Sequence, residues 1–265
     1  MSDKGYQLVP FPKIRRLMVD GGYMARQKHL IHGLVEMDVT HARQLIREHK
    51  ARTGEALSFT AFTMTCLGQV VDKNKHMQAV RTWREKLALF DDVDVNTMFE
   101  VEVEGRKIIR PHIVRAVNRK SLREIHEEIR AFQADHEHGR EAKFIDGFVL
   151  LPAFIRRFFL GFLFKSPRML KDMNGTVSLT AVGMFGDGGG WGIPVSNHTL
   201  QLTLGGMAEK PVLKDGKLEN HKFLCVTISI DRDIVDGAPA ARFIQRLKEL
   251  VESGYGIEEF IGEVR

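Results

Sequence analysis

The 265 residues suffice for one large domain with a substantial core or for two small ones, and 43% hydrophobic against 28% charged residues is ordinary for a globular protein. The formal net charge of +5 suits an anionic ligand, but acidic and basic residues interleave along the chain. Without a basic block or an aromatic-basic pattern, nucleic-acid binding is not expected. Met1–Gly5 has no apolar signal core, so a cytoplasmic location is expected. The apolar run from Phe144 to Phe164 is interrupted by Asp146, Arg156 and Arg157, too many charges for a membrane span.

In chain order, Leu34–Val39 alternates like a strand, and Thr40 is expected to cap a helix that Gly54 ends. Ser58 starts a second helix, apolar on most sides and therefore buried. Met98–Val103 alternates again, with Gly105 offering a hairpin turn into Lys107–Ile109. Ser121 and Glu124 have capping-box spacing ahead of an amphipathic helix. The stretch 139–173 reads as one or two helices rich in phenylalanine. Strand-like runs follow at Thr176–Val182, Thr199–Leu204 and Phe223–Ile230, and a last helix at Ala238–Gly254. The turn Gly186–Gly192 lacks the lysine and hydroxyl residue of a phosphate loop and reads as a mobile turn. Helices early and strands late, without strict βαβ alternation, predict an α+β sandwich rather than a Rossmann fold. Cys66 and Cys225 each lie in apolar runs and read as buried thiols rather than nucleophiles or a disulfide. The 11 histidines include no metal-motif spacing with a third ligand, so no metal is expected.

The most specific segment is Ser229-Ile-Asp-Arg-Asp-Ile-Val-Asp-Gly-Ala-Pro-Ala-Ala-Arg-Phe243. It resembles the signature of the 2-oxoacid dehydrogenase acyltransferase catalytic domain, a strand ending in Asp-His-Arg-x-x-Asp-Gly and then a helix with Ala-x-x-Ala-x-Phe. Asp231, Asp236, Gly237, Ala238, Ala241 and Phe243 fit; Arg232 takes the histidine position and Asp233 the arginine position. Gly175-Thr-Val-Ser-Leu-Thr-Ala-Val-Gly-Met-Phe-Gly186 is similar to a second family run, with Thr180 at the hydroxyl position and Ala181 in place of asparagine. Gly205–Val212, Val93–Asn96 through Lys120-Ser121-Leu122, and Glu36–Thr40 extend the likeness, in order, over most of the chain. The resemblance implies a chloramphenicol-acetyltransferase-like two-layer sandwich of mixed β-sheet and helices. It also implies a homotrimer or a higher oligomer of trimers, and an inter-subunit channel that takes coenzyme A as an acyl thioester. With the match beginning near Leu8, it implies a single catalytic domain over 1–265, with no lipoyl attachment and no subunit-binding domain.

Acyl transfer between thiols needs a base, an oxyanion donor and alignment of thiol with thioester. By the resemblance, Thr180 supplies the hydroxyl. Arg232 cannot serve as the base, because a guanidinium stays protonated and offers no lone pair; it can pair with an anion or bridge to Asp236. His198, after the glycine-rich turn, is the replacement base to test first; the alternative is a surface or interface histidine. His29 and His32 flank the first strand, and His112 follows Pro111; all three read more readily as solvated residues. The resemblance pairs Asp236 with an arginine near the N-terminus, here Arg15 or Arg16. Two readings remain open: an acyltransferase with altered catalysis, and a non-catalytic trimeric scaffold or ligand-binding protein.

The Phe-rich insertion, 139–173, departs from the family pattern, which is short and polar there. It reads as a lid or pocket for a long or aromatic acyl group, or as extra core or trimer contact. A third reading is a helix on a membrane surface, with Arg156, Arg157, Lys165, Arg168 and Lys171 facing headgroups.

Overall fold

The computed structural model describes residues 6–13, 15–103, 106–134, 147–183 and 188–262; the expected turn at Gly105 and the segments 135–146 and 184–187 lie outside them. Alternation at the first strand extends upstream of Leu34, giving β1 (Leu30–Asp38) after helix α1 (Arg15–Ala25). Helices α2 (Thr40–Thr53) and α3 (Phe59–Asp72) follow. Ser58 accepts a hydrogen bond from the Ala61 N–H at 3.3 Å, and Gly54 closes α2 at φ +79°, both as expected. Thr40 does not cap its helix. Its N–H is satisfied by Asp38 (2.9 Å), and its hydroxyl instead accepts from the Lys222 N–H (2.8 Å), tying α2 to the sheet.

A short hairpin, β2 (Val80–Arg81) and β3 (Leu87–Ala88), precedes β4 (Val95–Val103) and β5 (Arg106–Val114). Helix α4 (Leu122–Ala134) starts with the anticipated box: the Ser121 N–H donates to Glu124 at 2.7 Å and the Glu124 N–H to Ser121 Oγ at 3.3 Å. The phenylalanine-rich stretch forms α5 (Ala153–Lys165) and α6 (Pro167–Asn174). Then come β6 (Val177–Ala181), β7 (Leu200–Lys214), β8 (Lys217–Asp231), α7 (Gly237–Glu252) and a further helix, α8 (Ile257–Gly262), beyond the expected last one. β7 and β8 run well past the expected strands because Asp215 (φ +50°) and Gly216 (φ +76°) form a tight two-residue turn.

The sheet order is β1-β8-β7-β6-β4-β5, with β6 parallel to both neighbours and the other pairs antiparallel. The period of two divides it into unlike faces. Val177, Leu179, Leu200, Leu202, Val226, Ile228 and Ile230 join the core that includes α3, α4 and α7. The opposite face is polar: Ser178, Gln201, Ser229 and His32 stand in register across four strands, and Thr180, Thr203 and Thr227 form the adjacent row.

The segment from Gly188 crosses this polar face and is pinned there, contrary to the expected mobile turn. The Gly190 carbonyl accepts from Gly206 (2.9 Å), the Gly190 N–H reaches Cys225 Sγ (3.3 Å), and Trp191 Nε1 donates to the Val35 carbonyl (3.3 Å). A Cβ on Gly205 would stand 2.1 Å from the Gly190 carbonyl oxygen, so glycine is what lets the two backbones touch. Cys66 and Cys225 are buried and unbridged, and burial pushes the Cys66 thiol far up.

Candidate active site

β8 ends at Asp231, which is buried and holds Lys28 Nζ at 2.6 Å. The chain then turns tightly, with Ile234 and Val235 N–H groups returning to the Asp231 carbonyl (3.1 and 3.0 Å). This turn presents Arg232 and Asp233 beside the residues that lead into β1. The Arg232 N–H donates to the His29 carbonyl at 2.9 Å.

The Arg232 guanidinium donates to Asp236, and both side chains are at least half-exposed. Asp236 is therefore engaged within its own loop, not with Arg15 or Arg16, which open α1 on the exposed surface. Four residues of separation make the local pair cheap in chain entropy, and arginine at the histidine position supplies it.

His29 Nδ1 lies 3.0 Å from Asp233 Oδ1. A carboxylate only accepts, so Nδ1 is the donor of this contact and Nε2 is left facing away from it, on a side chain that is 75% exposed. His32 makes a comparable contact, Nδ1 to Ser229 Oγ at 2.8 Å, but Ser229 is fully buried and so is no accessible nucleophile. The signal that could have singled out His29 was the pair at 232 and 233: where the resemblance leads one to expect a histidine and an arginine, the loop carries Arg232 and a carboxylate, Asp233, able to hold a histidine from elsewhere.

His198 is buried. Its Nε2 donates to the Asn174 carbonyl at 2.8 Å, its N–H donates to Ser196 Oγ at 3.1 Å, and burial pulls its pKa down to about 4. That is a neutral, structurally committed imidazole. Because the folded-state pKa lies below the unfolded value near 6.5, the unfolded chain takes up a proton that the folded one refuses. Stability is then complete above about pH 6.5 and falls as the pH drops towards 4, by about 3 kcal/mol across that window. Denaturant midpoints at about pH 7 and about pH 4.5 should converge for His198→Gln relative to the native chain; an unchanged gap would remove His198 as the cause.

Thr180 is half-buried on the polar sheet face, with Gln201 Nε2 at 3.5 Å from its hydroxyl. His112 stacks on Phe132 with ring centroids 4.1 Å apart and faces Glu128, far from solvation as a bare loop residue. Among the described residues no group of three histidine, cysteine or carboxylate side chains converges to hold a metal ion.

A cleft of about 920 Å³ opens beside the loop. Asp231, Asp233, Ile234, His198 and Thr199 line one side; Thr180 and Arg232 do not line it. Residues of α1, α5 and the β2–β3 hairpin form the rest, with Phe154, Phe158, Phe164 and Trp83 contributing aromatic surface. Two features hold this wall in place. Asp20, fully buried on α1, receives Arg156 Nε at 2.6 Å and Arg157 Nε at 3.0 Å, and Arg156 also donates to the Leu151 carbonyl. Arg157 lies over the Tyr23 ring at 4.5 Å. Arg156 thus faces inward rather than towards lipid headgroups, and Lys171 pairs with Asp92 at 2.8 Å. No helix among the described residues is long and apolar enough to cross a membrane.

Residues 168–257 match the model of the family described as 2-oxoacid dehydrogenases acyltransferase (catalytic domain). Over 245 residues the chain is 28% identical to the dihydrolipoyllysine-residue acetyltransferase component of the pyruvate dehydrogenase complex of Bacillus subtilis, covering 90% of this chain and 47% of that protein. A solved dihydrolipoamide acetyltransferase of Azotobacter vinelandii shares the fold at a TM-score of 0.69 and 17% identity, covering 95% of this chain and 93% of that one. A chloramphenicol acetyltransferase does so at 0.52 and 13%, covering 92% and 99%. The mixed sheet with its helical layer is accordingly the chloramphenicol-acetyltransferase-like sandwich. Within that class, the segment 168–257 is similar to the catalytic domain of the 2-oxoacid dehydrogenase acyltransferases, and the likeness to a dihydrolipoyllysine-residue acetyltransferase extends over most of the chain. It spans less than half the length of the curated relatives it matches.

Proposed function

We propose that the chain transfers an acyl group from a coenzyme A thioester to a thiol, with His29 as the base in place of the histidine absent at position 232. The observation that carries this reading is the 3.0 Å contact between His29 and Asp233, on the very loop where the family resemblance puts its histidine. Asp233 holds the ring and leaves Nε2 free to take the thiol proton. The thiolate then attacks the thioester carbonyl, forming a new C–S bond. As the tetrahedral intermediate collapses, the bond to the coenzyme sulfur breaks and the imidazolium returns its proton to that sulfur. Arg232, half-exposed beside His29, has guanidinium N–H groups beyond the one given to Asp236 and can steady the oxyanion. A homotrimer or larger assembly belongs to the same reading: a structural neighbour forms the cubic core of a pyruvate dehydrogenase complex, and Leu8, Val9 and Phe11 stand exposed here.

The second reading, a non-catalytic trimeric scaffold, is favoured by one observation: Arg232 and Asp236 satisfy each other without any substrate. Acyl exchange between acyl-coenzyme A and dihydrolipoamide by the purified protein, beside Arg232→His, separates the two. Exchange by the native protein supports transfer. Silence in the native protein with activity in Arg232→His means an intact site without a base and ends the His29 assignment. Silence in both, with the fold retained, leaves the scaffold.

A further inference from the structure

The cleft beside the loop is chemically two-sided. Its deep side is polar and buried, with His198, Thr199, Thr176 and the Lys28–Asp231 pair. Its outer side is aromatic and open: Phe154 is 73% exposed, Phe158 76% and Trp83 53%. Phe154 and Phe158 are four residues apart on α5, so they share one helix face. Large aromatic surface of this kind, held in a concave wall, marks a binding surface rather than a spare part of the core.

The cations on this wall are set against neighbours of their own: Arg81 faces Glu85 at 3.9 Å. Arg157 is bound to Asp20 and lies over Tyr23, while Lys165 sits over Trp83 at 5.2 Å. The matching occupant is neutral and apolar where it meets the rim and polar where it meets the floor. The cleft volume falls in the range of about 300–1,000 Å³ usual for small-molecule sites, far more than a two-carbon acyl group fills. Asp231, Asp233 and Ile234 line the same space, so a tail lying along Phe154 and Phe158 leads to the loop whose Asp233 holds His29, although His29 itself does not line the cleft.

We infer that this cleft selects the acyl group, taking coenzyme A thioesters of aromatic or medium-length aliphatic acids in preference to acetyl. The inference rests on the transfer reading above for the thioester, but binding alone tests it. Trp83 and Trp191 are the two tryptophans, and only Trp83 lines the cleft. Trp191→Phe therefore isolates a fluorescence reporter at the rim. The titrants are acetyl-, octanoyl- and phenylacetyl-coenzyme A, with calorimetry in parallel.

The expected result is Trp83 quenching and at least about tenfold tighter binding of the two larger thioesters, of the order that added apolar contacts supply. In Phe154→Ser/Phe158→Ser that preference should collapse, with the affinities for octanoyl- and acetyl-coenzyme A converging. Both side chains are mostly exposed, so this variant keeps the fold. Equal affinities in the native protein, or a preference that survives the double change, would overturn the assignment. So would a shift of oligomeric state in the double variant with selectivity intact, which would make the wall a contact between copies. Preferential binding without turnover sinks the transfer reading and leaves the pocket. Turnover of acetyl-coenzyme A with no acyl preference does the reverse.

Discussion

Asp20→Ala is expected to destabilise the chain by about 3–5 kcal/mol, the cost of stranding a buried charge. The Asp20 carboxylate is fully buried between two guanidinium groups, at 2.6 Å from Arg156 and 3.0 Å from Arg157. Arg157 is partly exposed and can turn to water when the carboxylate goes. Arg156, 6% exposed at its side chain, cannot, and backbone carbonyls at Val149 and Leu151 would be its remaining partners. A buried pair of this kind is weak evidence of net stability over an apolar substitute, but removing one partner alone is severe. Denaturant titration should therefore order the variants with Asp20→Ala lowest and Asp20→Leu/Arg156→Met recovering most of the loss. A change under about 0.5 kcal/mol in Asp20→Ala, the size usual for surface sites, would mean that α1 and α5 are not held together by this cluster. Since the cluster also sets the position of the aromatic wall, acyl selectivity should blur in Asp20→Ala before activity disappears.

His29→Ala is expected to lower acyl exchange about a hundred- to ten-thousand-fold, the usual contribution of a general base. The ring is three-quarters exposed, so the thermal midpoint should stay close to that of the native chain. Asp233→Asn should cost less, because it removes the charge that holds the ring but leaves an imidazole in place. His198→Ala separates the alternatives: its buried Nε2 is spent on the Asn174 carbonyl, so its loss is expected to appear in stability. An undiminished rate in His29→Ala would remove the relocated base, and a rate lost only in His198→Ala would return that role to the buried imidazole.

The difference between those two histidines shows where the sequence stopped being informative. What it determined by itself was local or repetitive. The Ser58 cap, the Ser121–Glu124 box and the Gly54 stop were legible because each is closed within four residues by hydrogen bonds that side-chain type alone dictates. Strand alternation separated the core face from the polar face, and the loop from Asp231 to Gly237 carried the family resemblance. The Asp215–Gly216 turn, though equally local, went unread, so the full length of β7 and β8 emerged only in the structure. The tertiary structure decided what depends on register and on distant partners. His29 meets Asp233 across 204 positions of sequence only because β1 pairs with β8 as Leu30 to Asp231. Asp20 turns Arg156 inward across 136 positions, reversing the orientation its basic neighbours suggested. Asp236 took the guanidinium four residues away rather than one near the N-terminus. A charged or imidazole side chain has no periodicity of its own to declare its partner; its direction is set by whichever opposite group the packed backbone brings within hydrogen-bonding distance.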